Sequence, residues 1–156
     1  MGLNAYTQLL TYIKQLGEAD PFINTITQGN FSRIDLDKGN IFPLLHVTVL
    51  GGAFNNGSTI EFNIEVVALQ QRDTNKEIRT DKFWEQDNEV DNLNEMLAVL
   101  NRLWLNMYRD FQENNISASE NPTLDIIEPE TQTNSIEGWR MVFNVEVPNT
   151  TISLCP

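Results

Sequence analysis

Cysteine occurs once in the 156 residues, at Cys155, and histidine once, at His46. A single thiol forms no intramolecular disulfide, and one cysteine with one histidine cannot supply the N/S ligands of a zinc site. Basic residues are scarce as well: 10 Lys and Arg stand against 22 Asp and Glu, a net charge of −12. A chain so acidic repels phosphate backbones and anionic lipid headgroups, which disfavours wrapping nucleic acid or lying on a membrane. No stretch approaches the ~20 apolar residues of a membrane-spanning helix. The opening Met1-Gly2-Leu3-Asn4-Ala5-Tyr6 has no basic leader before an apolar stretch, and Tyr6 replaces the Ser or Thr of a myristoylation signal. The expectation is a protein made in the cytoplasm with no membrane partner. What the chain does have is 40% hydrophobic residues, enough for a folded core. We expect one domain over 1–156, with an extended tail at 148–156.

Apolar spacing divides the chain. Leu3, Tyr6, Leu10 and Ile13 step by threes and fours, with Leu9 and Leu16 widening the stripe; this predicts a helix over 3–16, ended by Gly17. Pro21 opens an extended stretch from Phe22 to Leu36, bent near Gln28-Gly29-Asn30. Leu45, Val47 and Val49 alternate with His46, Thr48 and Leu50 as a strand. Gly51 to Ser58 reads as a glycine- and asparagine-rich loop, and Ile60, Phe62, Ile64, Val66 and Ala68 as the returning strand of a hairpin. After a polar connector over 70–87, Val90, Leu93, Leu97, Leu100, Trp104, Met107 and Phe111 form one long helical seam, broadened by Met96, Val99, Leu103 and Tyr108. Asp87 or Asn88 suits its cap, and Asn114 or Asn115 its end. A loop over 117–122, a short strand over 124–127, a turn at 134–138 and a strand over 139–147 complete a second hairpin. The fold class is therefore α+β: a mostly antiparallel sheet of about five strands, packed on one face by two helices, in the order α-β-β-β-α-β-β.

No chemical constellation accompanies this pattern. His46 lies alone in an alternating strand, and Cys155 has no histidine near it in sequence. Asp35 to His46 and Asp73 to Trp84 begin like calcium loops but lack glycine at the sixth position and glutamate at the twelfth. Gly51-Gly52 precedes neither a Lys-Ser pair nor a helix, so it is no phosphate cradle. The acids include no pair marked for acid–base work. We expect no catalytic residue, no metal and no cofactor.

Apolar residues in polar surroundings are the more telling feature. Phe54 in the glycine-rich loop, Phe83 and Trp84 in the connector, and Ile152, Leu154, Cys155 and Pro156 in the tail are candidate interface residues. The run Phe83 to Leu100 resembles a segment of small neck or tail proteins of crAss-like phages of Bacteroidetes. The stretch from Glu137-Gly138-Trp139 to Val147-Pro148, closing in Leu154-Cys155-Pro156, resembles the same group. The element order is similar to the tail-terminator and tail-completion fold of tailed phages. That resemblance implies a virion structural protein forming a homo-oligomeric ring, six- or twelve-fold, between portal and tail. Its partners would be neighbouring neck, portal or tail proteins, and genomic DNA would pass its lumen without specific binding. A small ligand-binding or scaffolding module, using Trp84, Trp104 or Trp139 as a stacking platform, is the alternative; an acid-residue hydrolase ranks below both.

Overall fold

Thirteen-residue strands can span a whole domain, and two of them do so here. In the computed structural model, which describes residues 5–29, 42–71, 89–114, 116–119, 121–127 and 136–148, the order is α1 (Ala5–Ala19), β1 (Thr25–Gln28), β2 (Leu44–Asn55), β3 (Thr59–Gln71), α2 (Glu89–Glu113), β4 (Ser117–Ala118), β5 (Thr123–Ile127) and β6 (Ile136–Pro148). The six-stranded sheet runs β1-β2-β3-β6-β4, with β5 also on β6. β3 and β6 pair antiparallel from Thr59 opposite Pro148 to Gln71 opposite Ile136. At ~3.4 Å per residue this ladder is about 40 Å long. β1 alone pairs in parallel, against Leu44 to Val47 of β2. Among the described residues the α+β class, the two helices and both hairpins agree with the pattern of the sequence; the strand count rises to six.

Both helices lie on one face. α1 packs against β1 and β2, and α2 against β3, β6 and β4. Their buried side chains, among them Leu9, Ile13, Met96, Leu100, Met107 and Phe111, meet Leu45, Ile64, Val66, Met141 and Phe143 of the sheet. Each such side chain contributes roughly 1.5–3 kcal/mol on burial. At one end the opposite face is buried too, through Leu44, Val67, Leu69, Ile127 and Ile136. Burial on both faces explains why Leu44-Leu45 and Val66-Val67-Ala68-Leu69 break alternation.

Several boundaries move for physical reasons. α1 continues through Gly17, which is no terminator: a Cβ there would stand 2.8 Å from Leu45 Cδ2 and 2.9 Å from Ile26 Cδ1, so glycine lets α1 approach the sheet. Asp20 ends the helix instead. Its carboxylate accepts from the Phe22 amide at 3.0 Å and takes a two-pronged ion pair from Arg102 of α2 at 3.0 and 3.1 Å. The Arg102 guanidinium also lies 5.0 Å from the Phe22 ring. The buried stripe of α2 keeps Leu100, Met107 and Phe111 of the predicted seam and turns toward its broadening residues Met96, Val99 and Leu103, leaving Leu93, Leu97 and Trp104 half-buried and Val90 at 43% exposure. Asn114 closes α2 by donating its side-chain amide to the Asp110 carbonyl at 2.8 Å, and the Ile116 amide reaches back to Phe111 O at 2.8 Å. Residues 117–118, read as loop, pair with β6, which begins at Ile136, within the predicted turn over 134–138, rather than at Trp139. The expected strand beyond Asn30 and the cap at Asp87 or Asn88 lie outside the described residues.

Gly138 is a point of close approach in the central ladder. A Cβ there would stand 1.9 Å from Ala68 O and 2.9 Å from its carbonyl carbon. Backbone cannot step aside as a methyl can. Gly138→Ala is therefore expected to cost about 3 kcal/mol or more in urea unfolding, at the upper end of overpacking penalties; a loss under about 1 kcal/mol would show that the contact is slack.

Candidate assembly surface

The hairpin of β2 and β3 is longer than its apolar pattern suggested. Gly51 and Gly52 are strand, not loop: Leu50 is the extra residue of a bulge between Val49 and Gly51, and pairing resumes to Asn55 opposite Thr59. At Gly52 a Cβ would fall 2.3 Å from Glu61 O, so close strand approach excludes any larger residue. The turn itself is Asn56-Gly57, both at positive φ (51° and 74°), closed by the Ser58 amide donating to Asn55 O at 3.1 Å. This is the primed turn that Asn-Gly favours.

Phe54 thereby sits on a strand, on the face that carries the helices, opposite Ile60 and diagonal to Phe62. It is 74% exposed, the most exposed large apolar side chain among the described residues. Nearby, Tyr6 of α1 meets Phe62 edge-on, with centroids 6.1 Å apart, and is itself part-exposed. Leu50 projects at 53% exposure from the bulge. β1 covers only Leu44 to Val47, so among the described residues Thr48 to Asn55 is paired on one side only. An apolar ring on an open edge is a template for another chain. Of the sequence-derived interface candidates, Phe54 is exposed, on a strand rather than in the predicted loop; Phe83, Trp84, Ile152, Leu154, Cys155 and Pro156 lie outside the described residues.

A second apolar surface lies between α2 and β5. Leu97, Ala98, Trp104, Pro122 and Leu124 line a groove of about 380 Å³. Trp104 is partly buried there, 5.3 Å from the Phe143 ring, whereas Trp139 is held by its indole N–H donating to Leu93 O at 2.9 Å. A third hollow of about 310 Å³ lies between α1, the end of α2 and Pro148. Its polar feature is the Tyr12 hydroxyl, which donates to Asp110 Oδ2 at 2.5 Å; burial and then that carboxylate raise the phenol's pKa well above its ordinary value. A phenol so held is a tether between helices, not a base. Sequence reasoning missed Leu50, Leu105 and Leu124, because strand and helix periodicity assign apolar residues to cores without showing where covering elements stop.

The buried polar groups are structural in geometry. Asn92 donates to Glu137 Oε1 at 2.8 Å and to Gln71 O at 3.3 Å, joining α2 to the ends of β3 and β6. His46 is 2% exposed. Its Nε2 lies 2.9 Å from Gly29 O, which can only accept, so Nε2 carries the proton and Nδ1, 2.7 Å away, accepts from the Thr27 hydroxyl. The ring stitches β1 to β2. Among the described residues no three His, Cys, Asp or Glu side chains are close enough to hold a metal ion. No helix of the described residues is long and apolar enough to cross a membrane. No protein-family model matches the chain, and no curated protein matches it in sequence.

Burial lowers the pKa of His46, with the Gly29 carbonyl and Glu65 opposing. The unfolded chain then takes up the proton first as pH falls. The stability from this group is complete above the ordinary ~6.5 and is lost as pH drops toward the folded value. Between about pH 7.5 and 5.5 the melting temperature should fall more for the wild type than for His46→Gln, whose amide keeps a donor and an acceptor. Equal falls would mean that the ring titrates freely.

Proposed function

We propose that the chain is a non-catalytic virion structural protein: a subunit that forms a ring in the neck or tail of a phage, in a connector, tail-terminator or tail-completion role. In this reading it is made in the host cytoplasm, ends in the virion and joins head to tail against portal, neck or tail neighbours. DNA passes through its lumen without specific binding, and the net charge of −12 repels the phosphate backbone during passage. The resemblance of Phe83 to Leu100 and of Glu137 to Pro148 to neck and tail proteins supports the reading, as does the α+β element order. The observation that carries it is Phe54, 74% exposed on a strand with an open edge among the described residues. An isolated domain gains nothing from a bare phenyl ring there; a neighbouring copy covering it does.

A second reading, a ligand-binding or scaffolding module, draws on Trp104 in its groove of about 380 Å³. A ligand would then quench tryptophan emission saturably without changing the oligomeric state.

Light scattering during size exclusion, followed by electron microscopy, tests the ring. The expected result is a closed oligomer with ~800 Å² or more buried per subunit contact. Phe54→Asp should shift it to monomer, with a loss of at least about ten-fold in association. A wild-type monomer at high concentration, or an oligomer indifferent to Phe54→Asp, would refute this role for the strand.

A further inference from the structure

We propose that the flank of α2 beside β5 is a docking groove for an amphipathic helix of a partner protein, one whose polar face is cationic. The sheet is wider than its helices: α1 covers β1 and β2, α2 covers β3 and β6, and β5 lies outside them. Register places Leu124 and Ile126 opposite Met141 and Trp139, on the helix side, yet they remain 46% and 49% exposed. Packed helices stand 8–10 Å apart, so this ledge has room for one more element lying along α2.

The groove runs from Asn94 to Trp104, about 15 Å or three helical turns. Its wall repeats at helical spacing through Leu97, Ala98, Asn101 and Trp104, and the same flank continues to Leu105, 57% exposed. Ala98 at the centre permits close approach of a second backbone. An extended strand would reach only the edge of β5; a helix with apolar residues at i, i+3/i+4 and i+7 fills both wall and ledge.

Charge selects the occupant. Asp91 and Glu95 are exposed about two turns and one turn before Ala98, and neither has a salt-bridge partner among the described residues. The lysines and arginines of the described residues are each engaged by a carboxylate: Lys14 by Glu18, Arg102 by Asp20, Arg109 by Asp110 and Arg140 by Glu65. At this groove a second copy presenting the same flank would set the same acids against Asp91 and Glu95, which repels. A cationic partner gains from both. The inference stands whether or not the chain forms a ring.

The probe is a synthetic amphipathic helix of leucine and lysine, about 18 residues long, followed by fluorescence anisotropy against the full chain. Its controls are a leucine–glutamate counterpart and the surface variant Glu61→Gln, on the opposite sheet face. Saturable one-to-one binding is expected, weakened at least about ten-fold by Ala98→Glu, by Leu124→Asp and by Leu105→Lys, and unchanged by Glu61→Gln. Leu105 and Leu124 are exposed, so those variants keep the fold, which circular dichroism verifies. Equal affinity for all variants would reduce the binding to bulk charge and overturn the proposal. Equal binding of the leucine–glutamate helix would do the same. Loss of self-association in the groove variants without any peptide would assign the groove to a second copy. Binding that emerges only when 72–88 is replaced by a Gly/Ser linker would assign it to the chain's own connector. Either outcome overturns the cationic partner.

Discussion

The antiparallel ladder between β3 and β6 is the constraint on which everything else hangs. It joins residues far apart in sequence, from Thr59 with Pro148 to Gln71 with Ile136, and each other strand attaches to one of these two or to β2 beside them. Both faces near its base are dry, and its inner side chains, Ile64, Val66, Met141 and Phe143, form the floor under the helices. Because the ladder must close over a long intervening chain, its entropy cost falls before its rewards, and the apolar floor is what offsets it. Polar groups then fix its ends: Asn92 and Glu137 at the base, and Thr59, whose hydroxyl donates to Glu146, at the tip.

A ladder of this length leaves apolar surface at the margins of the sheet. Among the described residues two helices lie on a sheet of six strands without covering all of it, and β1 pairs with only four residues of β2. Apolar residues that would be interior in a smaller sheet are left at its margins: Phe54 and Leu50 at one edge, Leu124 and Ile126 at the other. The same molecule carries a net charge of −12, and like charges oppose the approach of one copy to another. Hydrophobic margins favour contact while like charge resists it. Assembly should therefore proceed through complementary partners or at ionic strength sufficient to screen the repulsion.

Most of this architecture is legible in the sequence because periodicity reports which face of an element is buried. The alternation of Ile60 to Ala68 and of Trp139 to Val147, and the seam of α2, lead directly to the central strands and the covering helix. Where pattern and structure part, a local contact decides. Gly17 resembles a terminator in sequence but is a packing residue, since its role depends on Leu45 and Ile26 across the core. Gly51 and Gly52 resemble a loop but are strand, because a bulge and a close Glu61 carbonyl need residues without side chains. The prominence of Phe54 is visible from its polar neighbours. The groove beside β5 is not, for it depends on how far α2 extends across the sheet, a tertiary fact that no spacing encodes.

Hydrogen exchange compared between dilute and concentrated protein tests most directly whether the edge of β2 from Thr48 to Asn55, paired on one side only among the described residues, is where copies meet, because it reports edge amides residue by residue. Raising the concentration is expected to slow exchange along Thr48 to Asn55 and to leave the interior pairs of β3 and β6 unchanged. Exchange along that edge that is identical at both concentrations, in a sample where the protein does associate, would contradict it.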